Sequence, residues 1–413
     1  MTEAVENPPQ LAAEALVWEQ LAQAPELLRA IAEAQQTPQP TVQARTAFEL
    51  RLQKELRSQY PEALVRCGLL LVDLRKRGAD KFSRADRLWF DRVGLEQATS
   101  EPVARHKAAR FQARAAQASV WDLCCGIGAD TVVLAEQHSV AAFDLRDAAC
   151  TFARLNLAAC GVTANATVHR GDVQEMSLEG KIIHVDPDRR AATGRAKRIE
   201  HYQPPLPWLQ DLATKAAGGA MKLSPASNFG GKFPETETEL ISLDGECKEA
   251  VIWFGSLRET ESHRATVLTR SGLTATIAAN PWDFRPDVQP LSSYLYDPDP
   301  AVVRAGLVDA VADQLGLFRL DDAEEYLTGP TLVTSPFVRP FEVIAEISNN
   351  DREVRAWFRG SGIGRLEIKC RHVPVAVDTY RKQLPLAGAE EAVLFIARLQ
   401  GRTRCVIGRR IRP

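Results

Sequence analysis

The sequence predicts an α/β protein: an open, mostly parallel sheet, preceded by a helical N-terminal domain and followed by a small α+β domain. Three observations carry this. Val120-Trp121-Asp122-Leu123 is an apolar run that enters a glycine turn, Cys124-Cys125-Gly126-Ile127-Gly128, and continues as a helix from Val132. A strand, a glycine turn and a helix make the first βα unit of a sheet that binds a nucleotide-like cofactor. Short apolar runs then alternate with helical runs up to Leu223, the pattern of stacked βα units. From Pro281 the chain turns proline-rich, and from Thr331 it becomes basic and strand-like.

Composition bounds the rest. The 413 residues suffice for two to three domains. They are 45% hydrophobic and 25% charged, as in globular proteins. No apolar run is long enough to span a bilayer. Met1 to Gln10 has no basic region followed by an apolar core, so a secretory signal is not expected and a cytoplasmic location is. The net charge of −2 means that any nucleic-acid binding has to come from a local patch. The eight cysteines form no C-x-x-C pair and no zinc spacing with histidine. Reduced thiols and no metal are expected, with Cys124 and Cys125 as small packing residues in the glycine turn.

In chain order, helical spacing runs from Leu11 to about Ala34 with a break at Pro25. A turn at Thr37-Pro38-Gln39-Pro40 follows, helix resumes to Leu56, and Ala63 to Leu74 suits another helix. Residues 1–99 therefore read as a helical domain. Ser100 is a candidate N-cap for a basic helix, Val103 to Arg114. Its Arg105, His106, Lys107, Arg110 and Arg114 fit either a phosphate backbone or a solvated face.

The glycine turn departs from a dinucleotide fingerprint, because Thr131 stands at the third glycine position with Asp130 beside it. A carboxylate there repels a pyrophosphate, whereas Asp122 suits a ligand carrying an ammonium group. Val140-Ala141-Ala142-Phe143-Asp144 is the second strand, with Leu145 just beyond it, and Asp144 lies sixteen positions after Gly128. An acid there accepts hydrogen bonds from both ribose hydroxyls, in NAD as in S-adenosylmethionine. The third strand runs from Thr167 and exits through Gly171-Asp172-Val173, where an acid can accept from an adenine amino group. Lys181 to Val185 is the fourth strand, leading into Asp186-Pro187-Asp188-Arg189-Arg190. Pro187 stiffens that loop, and Asp186 with the loop carbonyls can accept from an amine.

Trp208 to Ala217 is a helix, and Ala220-Met221-Lys222-Leu223 the fifth strand, with Lys222 near the pocket. Glu249 to Phe254 and Ala265 to Thr269 read as strands six and seven, expected as antiparallel neighbours. The sheet domain spans 100–290. Residues 291–330 read as linker plus one helix, Ala301 to Leu315, and 331–413 as the last domain. That last domain has 15 Lys and Arg against 8 Asp and Glu, about +7, a charge asymmetry that fits a polyanion or a solvated surface. Gly360-Ser361-Gly362-Ile363-Gly364-Arg365 with Lys369, Arg371 and His372 is its densest basic stretch.

The order D-x-x-x-G-x-G, then acids closing the second and third strands, resembles class I S-adenosylmethionine-dependent methyltransferases. Within them, Gly94-Leu95-Glu96-Gln97-Ala98-Thr99, Arg110-Phe111, Asp186 to Arg190 and Tyr294 to Gly306 are similar to a bacterial family that adds a C-terminal THUMP-like domain. The resemblance implies a Rossmann-like core, a seven-stranded sheet with the last strand antiparallel. It implies S-adenosylmethionine bound by Asp122, Cys124, Gly126, Gly128, Asp144, Leu145, Asp172 and Val173. It implies a catalytic pair, Asp186 and Pro187, with Asp188, Arg189 and Arg190 on the substrate. THUMP domains of related enzymes bind tRNA, so an RNA substrate, tRNA or rRNA, modified at a base nitrogen, is expected. Amino-methylating relatives carry an aromatic residue after Asp-Pro-Pro, and none follows Asp186-Pro187 here. A non-catalytic RNA-binding protein and a small-molecule or protein methyltransferase are the alternatives, with an NAD enzyme behind them.

Overall fold

The computed structural model describes residues 8–36, 41–191, 194–195, 198–259 and 262–411; the expected turn at Thr37 to Pro40 lies outside them. The chain divides into two compact units, residues 1–236 with 251–258, and residues 237–250 with 259–413. Among the described residues no helix is long and apolar enough to cross a membrane.

The first unit opens with helices α1 (Pro8–Ala22), α2 (Pro25–Ala34), α3 (Val42–Arg57), α4 (Glu62–Gly78), α5 (Arg92–Gln97) and α6 (Glu101–Ala115). Pro25 separates α1 from α2 and starts the second helix, where its missing N–H costs nothing. Ser100 holds the N-cap position of α6, but its hydroxyl makes no capping bond. Next come β1 (Val120–Leu123), α7 (Ala129–Leu134), β2 (Val140–Asp144), α8 (Asp147–Cys160), β3 (Ala166–Arg170) and β4 (Ile182–Val185). A short ribbon, β5 (Arg190–Ala191) and β6 (Gly194–Arg195), precedes α9 (Leu206–Lys215) and β7 (Gly218–Leu223). Strands β7, β4, β1, β2 and β3 neighbour one another in that order, all pairs parallel. Their C-terminal ends therefore open at one edge.

The N-terminal helices are not a unit of their own. Trp18, Leu21, Leu27, Ile31, Val65 and Phe90 are buried in one apolar cluster with Ile127 of the glycine turn and Phe152 of α8. Trp18 meets Phe152 edge to face at 5.0 Å between ring centroids. Asn156 of α8 accepts from Trp89 N at 2.7 Å and donates to Trp89 O and Ile127 O at 2.9 and 2.8 Å. Each large apolar side chain buried there contributes about 1.5–3 kcal/mol, so these helices brace the turn from behind.

In the second unit, β8 (Glu237–Leu243) and β9 (Glu246–Gly255) form a hairpin. Its turn is Asp244-Gly245, with φ of 50° and 78°, the doubly left-handed geometry that matches strand twist. Strand β9 neighbours both β8 and β7 and contributes residues to each unit. This corrects the expected assignment. Strand six is β8, not Glu249 to Phe254, which lies in β9. Ala265 to Thr269 falls largely in β10 (His263–Leu268), which pairs parallel with β8. Two buried acids disguised β8: Glu237 and Glu239 are both fully buried. Glu237 is met by Arg264 Nε at 2.7 Å and Glu239 by the Thr266 hydroxyl. Strand β10 is followed by β11 (Thr274–Ala279), which pairs with it antiparallel.

The stretch expected as linker and one helix also carries strands. It holds β12 (Tyr294–Pro298), α10 (Pro300–Ala305), α11 (Val308–Leu315), β13 (Phe318–Arg319) and β14 (Leu327–Gly329). The helix is interrupted at Gly306, φ 72°. The chain ends with β15 (Val338–Ser348), α12 (Asp351–Phe358), β16 (Ile363–Cys370), α13 (Val377–Lys382), β17 (Glu390–Leu399) and β18 (Arg402–Arg410). One sheet runs β13-β14-β12-β15-β18-β17-β16. Only β16 and β17 pair in parallel among its registered neighbours. Val354 and Phe358 of α12 pack on its Ile363, Leu394 and Ile407.

Candidate active site

The C-terminal strand ends of the first unit enclose a cavity of about 420 Å³. Asp122, Cys124, Gly126, Asp144, Leu145, Asp172, Val173, Asp186, Pro187, Asp188 and Arg189 all line it. Gly128 does not, and Arg190 lies in β5 with its side chain outside the described residues.

The glycine turn is left-handed at Cys124, Gly126 and Gly128, with φ of 58°, 56° and 77°. A Cβ added to Gly126 would meet nothing within 4 Å, and Gly126 lines the cavity. Gly128 has a different task. It caps α7, and a Cβ there would lie 3.1 Å from Ala153 Cα, so glycine lets α7 pack on α8. Burial, then the charge of Asp144, pushes the Cys124 thiol well up; burial, then Asp122 and Asp144, does the same to Cys125.

Asp144 is oriented by the turn it faces. Its Oδ2 accepts from Gly126 N and its Oδ1 from Arg146 N, both at 2.9 Å. A carboxylate offers about four acceptor sites, so capacity remains for two hydroxyls. Asp172 Oδ1 accepts from Gln174 N at 2.9 Å, capping a short 3-10 turn. Val173 is buried, whereas Leu145 is 62% exposed. These two apolar side chains lie beside the acids, as a flat heterocycle requires.

Asp122 does not present a free carboxylate. It is 1% exposed, and its Oδ2 takes the Thr131 hydroxyl while Oδ1 takes His184 Nδ1 at 2.7 Å. His184 Nε2 stands 3.3 Å from Lys107 Nζ, which reaches Asp130 Oδ1 at 2.9 Å. Asp122, Thr131, His184, Lys107 and Asp130 thus form a buried polar chain under the cavity. Burial raises the Asp130 carboxyl, but the charge of Lys107, followed by His184 and Lys222, outweighs it and holds the group far below the usual carboxylate range. The Asp130 charge is therefore present but locally compensated, which weakens the sequence argument that it repels a phosphate.

The basic helix α6 is not a free phosphate-binding face. Arg105 pairs with Glu101 and Glu136 at 3.0 and 2.7 Å. Arg110 donates to Leu257 O at 2.9 Å and lies over the Trp253 ring, and Arg114 donates to Ser256 O at 3.2 Å.

At the mouth, Asp186 Oδ2 is 2.7 Å from Lys222 Nζ, which also donates to Gln97 O at 3.0 Å. Gln97 Nε2 donates to Asp188 Oδ1 at 3.3 Å. The Asp188 backbone exchanges hydrogen bonds with Gln203 at 2.7 and 2.9 Å. Both acids of the loop are thus clamped from α5 and β7. Sequence reasoning placed Lys222 near the pocket but missed the roles of Gln97, Lys107, His184 and Gln203. Only His184 carried a signal, as a lone polar residue inside the apolar run of β4.

In the second unit the dense basic stretch is largely paired. Lys369 and Arg371 both reach Asp297, at 2.9 and 2.6 Å, His372 reaches Glu325 at 2.7 Å, and Arg365 reaches Glu391 at 2.8 Å. Its glycines serve a close chain approach: a Cβ on Gly364 would lie 1.8 Å from Gly388 O.

Residues 338–410 match a family described as THUMP domain-like. Two uncharacterized S-adenosylmethionine-dependent methyltransferases of Mycobacterium tuberculosis, strains CDC 1551 / Oshkosh and ATCC 25618 / H37Rv, are each 32% identical over 339 residues. These matches span 79% of this chain and 90% of the relatives. A crystal structure from Porphyromonas gingivalis W83, described as a methyltransferase, aligns with a TM-score of 0.71 at 20% identity over 86% of this chain and 92% of that one. At that identity the likeness establishes the shared fold.

Proposed function

We propose, from the premise that the chain belongs to the S-adenosylmethionine-dependent methyltransferases, that it methylates a base nitrogen of RNA, either tRNA or rRNA. S-Adenosylmethionine supplies an electrophilic methyl group, so the protein's share of catalysis is position and orientation. The residues present fit this cofactor: Gly126 leaves open space, Asp144 is preset for a diol, and Leu145 with Val173 offers apolar surface. Asp172 is then the acceptor for the adenine amino group. The methionine end falls to Cys124 and the turn, with Asp122 acting through its bonds to Thr131 and His184 rather than by direct contact.

The observation that carries the reading is the clamped Asp186-Pro187-Asp188 loop on the same cavity as the glycine turn. Asp186 and the Pro187 carbonyl accept from the target amine and aim its lone pair inward. Lys222 occupies one acceptor site of Asp186 and fixes its direction. Arg189, and Arg190 beside it in sequence, grip or stack on the substrate. The THUMP-like match of residues 338–410 supports RNA as the substrate class.

One observation favours a second reading, a protein that binds cofactor and RNA without transfer: no aromatic residue follows Pro187. Incubation with methyl-labelled S-adenosylmethionine and total cellular RNA separates the two. Label in the RNA supports the proposal; label only in protein or small molecules, or none, refutes it.

A further inference from the structure

We propose that the chain forms a twofold homodimer by pairing the open edge of β11 with the same edge of a second copy. An edge strand presents unpaired N–H and C=O groups, and proteins normally blunt such edges with charge, brevity or proline. The other sheet-ending strands here do so. Strand β3 carries His169 and Arg170, β16 carries Arg365, Glu367 and Lys369, and β13 has two residues. Strand β11 has none of these devices. It is the terminal strand beyond β10, and no further strand pairs with it among the described residues. Residues 271–282 contain no charged side chain, in a chain that is 25% charged.

The backbone register says which groups are open. Leu273 O accepts from Thr269 N at 3.0 Å, so it faces β10. By alternation Ala275, Ile277 and Ala279 also face β10, and Thr274, Thr276 and Ala278 turn their backbone groups outward.

The absence of charge selects a second copy over another partner. A twofold axis sets a strand against itself, so any charge near its centre would meet its own like. With the axis at Thr276, Thr274 of one copy faces Ala278 of the other, and every open N–H meets an open carbonyl. Leu273, 43% exposed, and Trp282, 86% exposed, flank β11 at its two ends. The antiparallel pairing brings Leu273 of one copy and Trp282 of the other toward the same end of the ribbon, where both lose water.

Sedimentation equilibrium of the full chain at micromolar concentration tests this, alongside Thr276→Lys and Ala278→Pro. The lysine would face its copy across the axis. The proline removes only an outward N–H, so the bond to β10 is kept. The expected result is twice the 45.5 kDa of one chain for wild type and the single-chain mass for both variants, with S-adenosylhomocysteine binding retained. A monomeric wild type, or a dimer that survives both substitutions, overturns the proposal. If one variant fails to fold, the other decides.

Discussion

At the scale of single residues, the carboxylates at the strand ends were readable, but their partners were not. Asp144 and Asp172 stand where the alternation of strands and acids placed them, because a strand end is a local event. Asp122 was legible as a position and not as a role, since its partners Thr131 and His184 lie on α7 and β4. Asp144→Ala removes the acceptor for Gly126 N and Arg146 N together with the proposed ribose acceptor. Calorimetry should show S-adenosylhomocysteine binding weakened by about 1.5–3 kcal/mol; unchanged affinity would remove Asp144 from the site. Lys107→Met leaves the Asp130 charge buried without its partner, and should cost about 3–5 kcal/mol of stability in denaturant unfolding. Adding Asp130→Asn should restore much of it. The pH dependence has a definite sign. The folded-state pKa of Asp130 is depressed, so its stabilisation is complete above the ordinary carboxylate pKa of about 3.9. It is lost as pH falls through the lower folded value. Wild type should therefore lose more stability on acidification than the double variant. Because the Cys124 and Cys125 thiols are pushed up, both should alkylate more slowly at neutral pH than an unperturbed cysteine, as peptide mass spectrometry would show.

At the scale of elements, strands with period-two or fully apolar patterns were visible and those holding buried charge were not. Glu237 and Glu239 hid β8, because their compensation by Arg264 and Thr266 comes from a strand more than twenty residues away. The basic face of α6 misled for the mirror reason: its arginines are spent on Glu101, Glu136 and the carbonyls at 256–258. Glycine spacing showed that the turn was sharp but did not separate Gly126, which leaves room in the cavity, from Gly128, which lets two helices meet. Gly128→Ala should therefore lower the melting temperature, since a left-handed φ of 77° and a 3.1 Å contact with Ala153 must both be accommodated. The expected cost is about 1–3 kcal/mol.

At the scale of the whole molecule, the fold class and cofactor class were legible because many strands repeat one pattern, whereas the boundary between units was not. A cut at residue 331 passes between β14 and β15, strands of one sheet joined through β12. A chain ending there should aggregate, so charge substitution is the cleaner probe of RNA binding. Arg352, Arg359, Lys382 and Arg402 are exposed, with no side-chain partner among the described residues. If these four make the phosphate contacts, log K against log salt should fall with a slope of about −3, not the about −5 that seven would give on a single strand. Replacing the four by alanine should flatten that slope, whereas replacing Lys369 or Arg371 should affect stability first. Base methylation through Asp186 is tested most directly by nucleoside mass spectrometry of cellular RNA treated with S-adenosylmethionine and either wild type or Asp186→Ala. Wild type should add one methyl to a base nitrogen, and the variant should lose that transfer while S-adenosylhomocysteine still binds. A methyl on ribose, equal transfer by both proteins, or no modified nucleoside with wild type would contradict it.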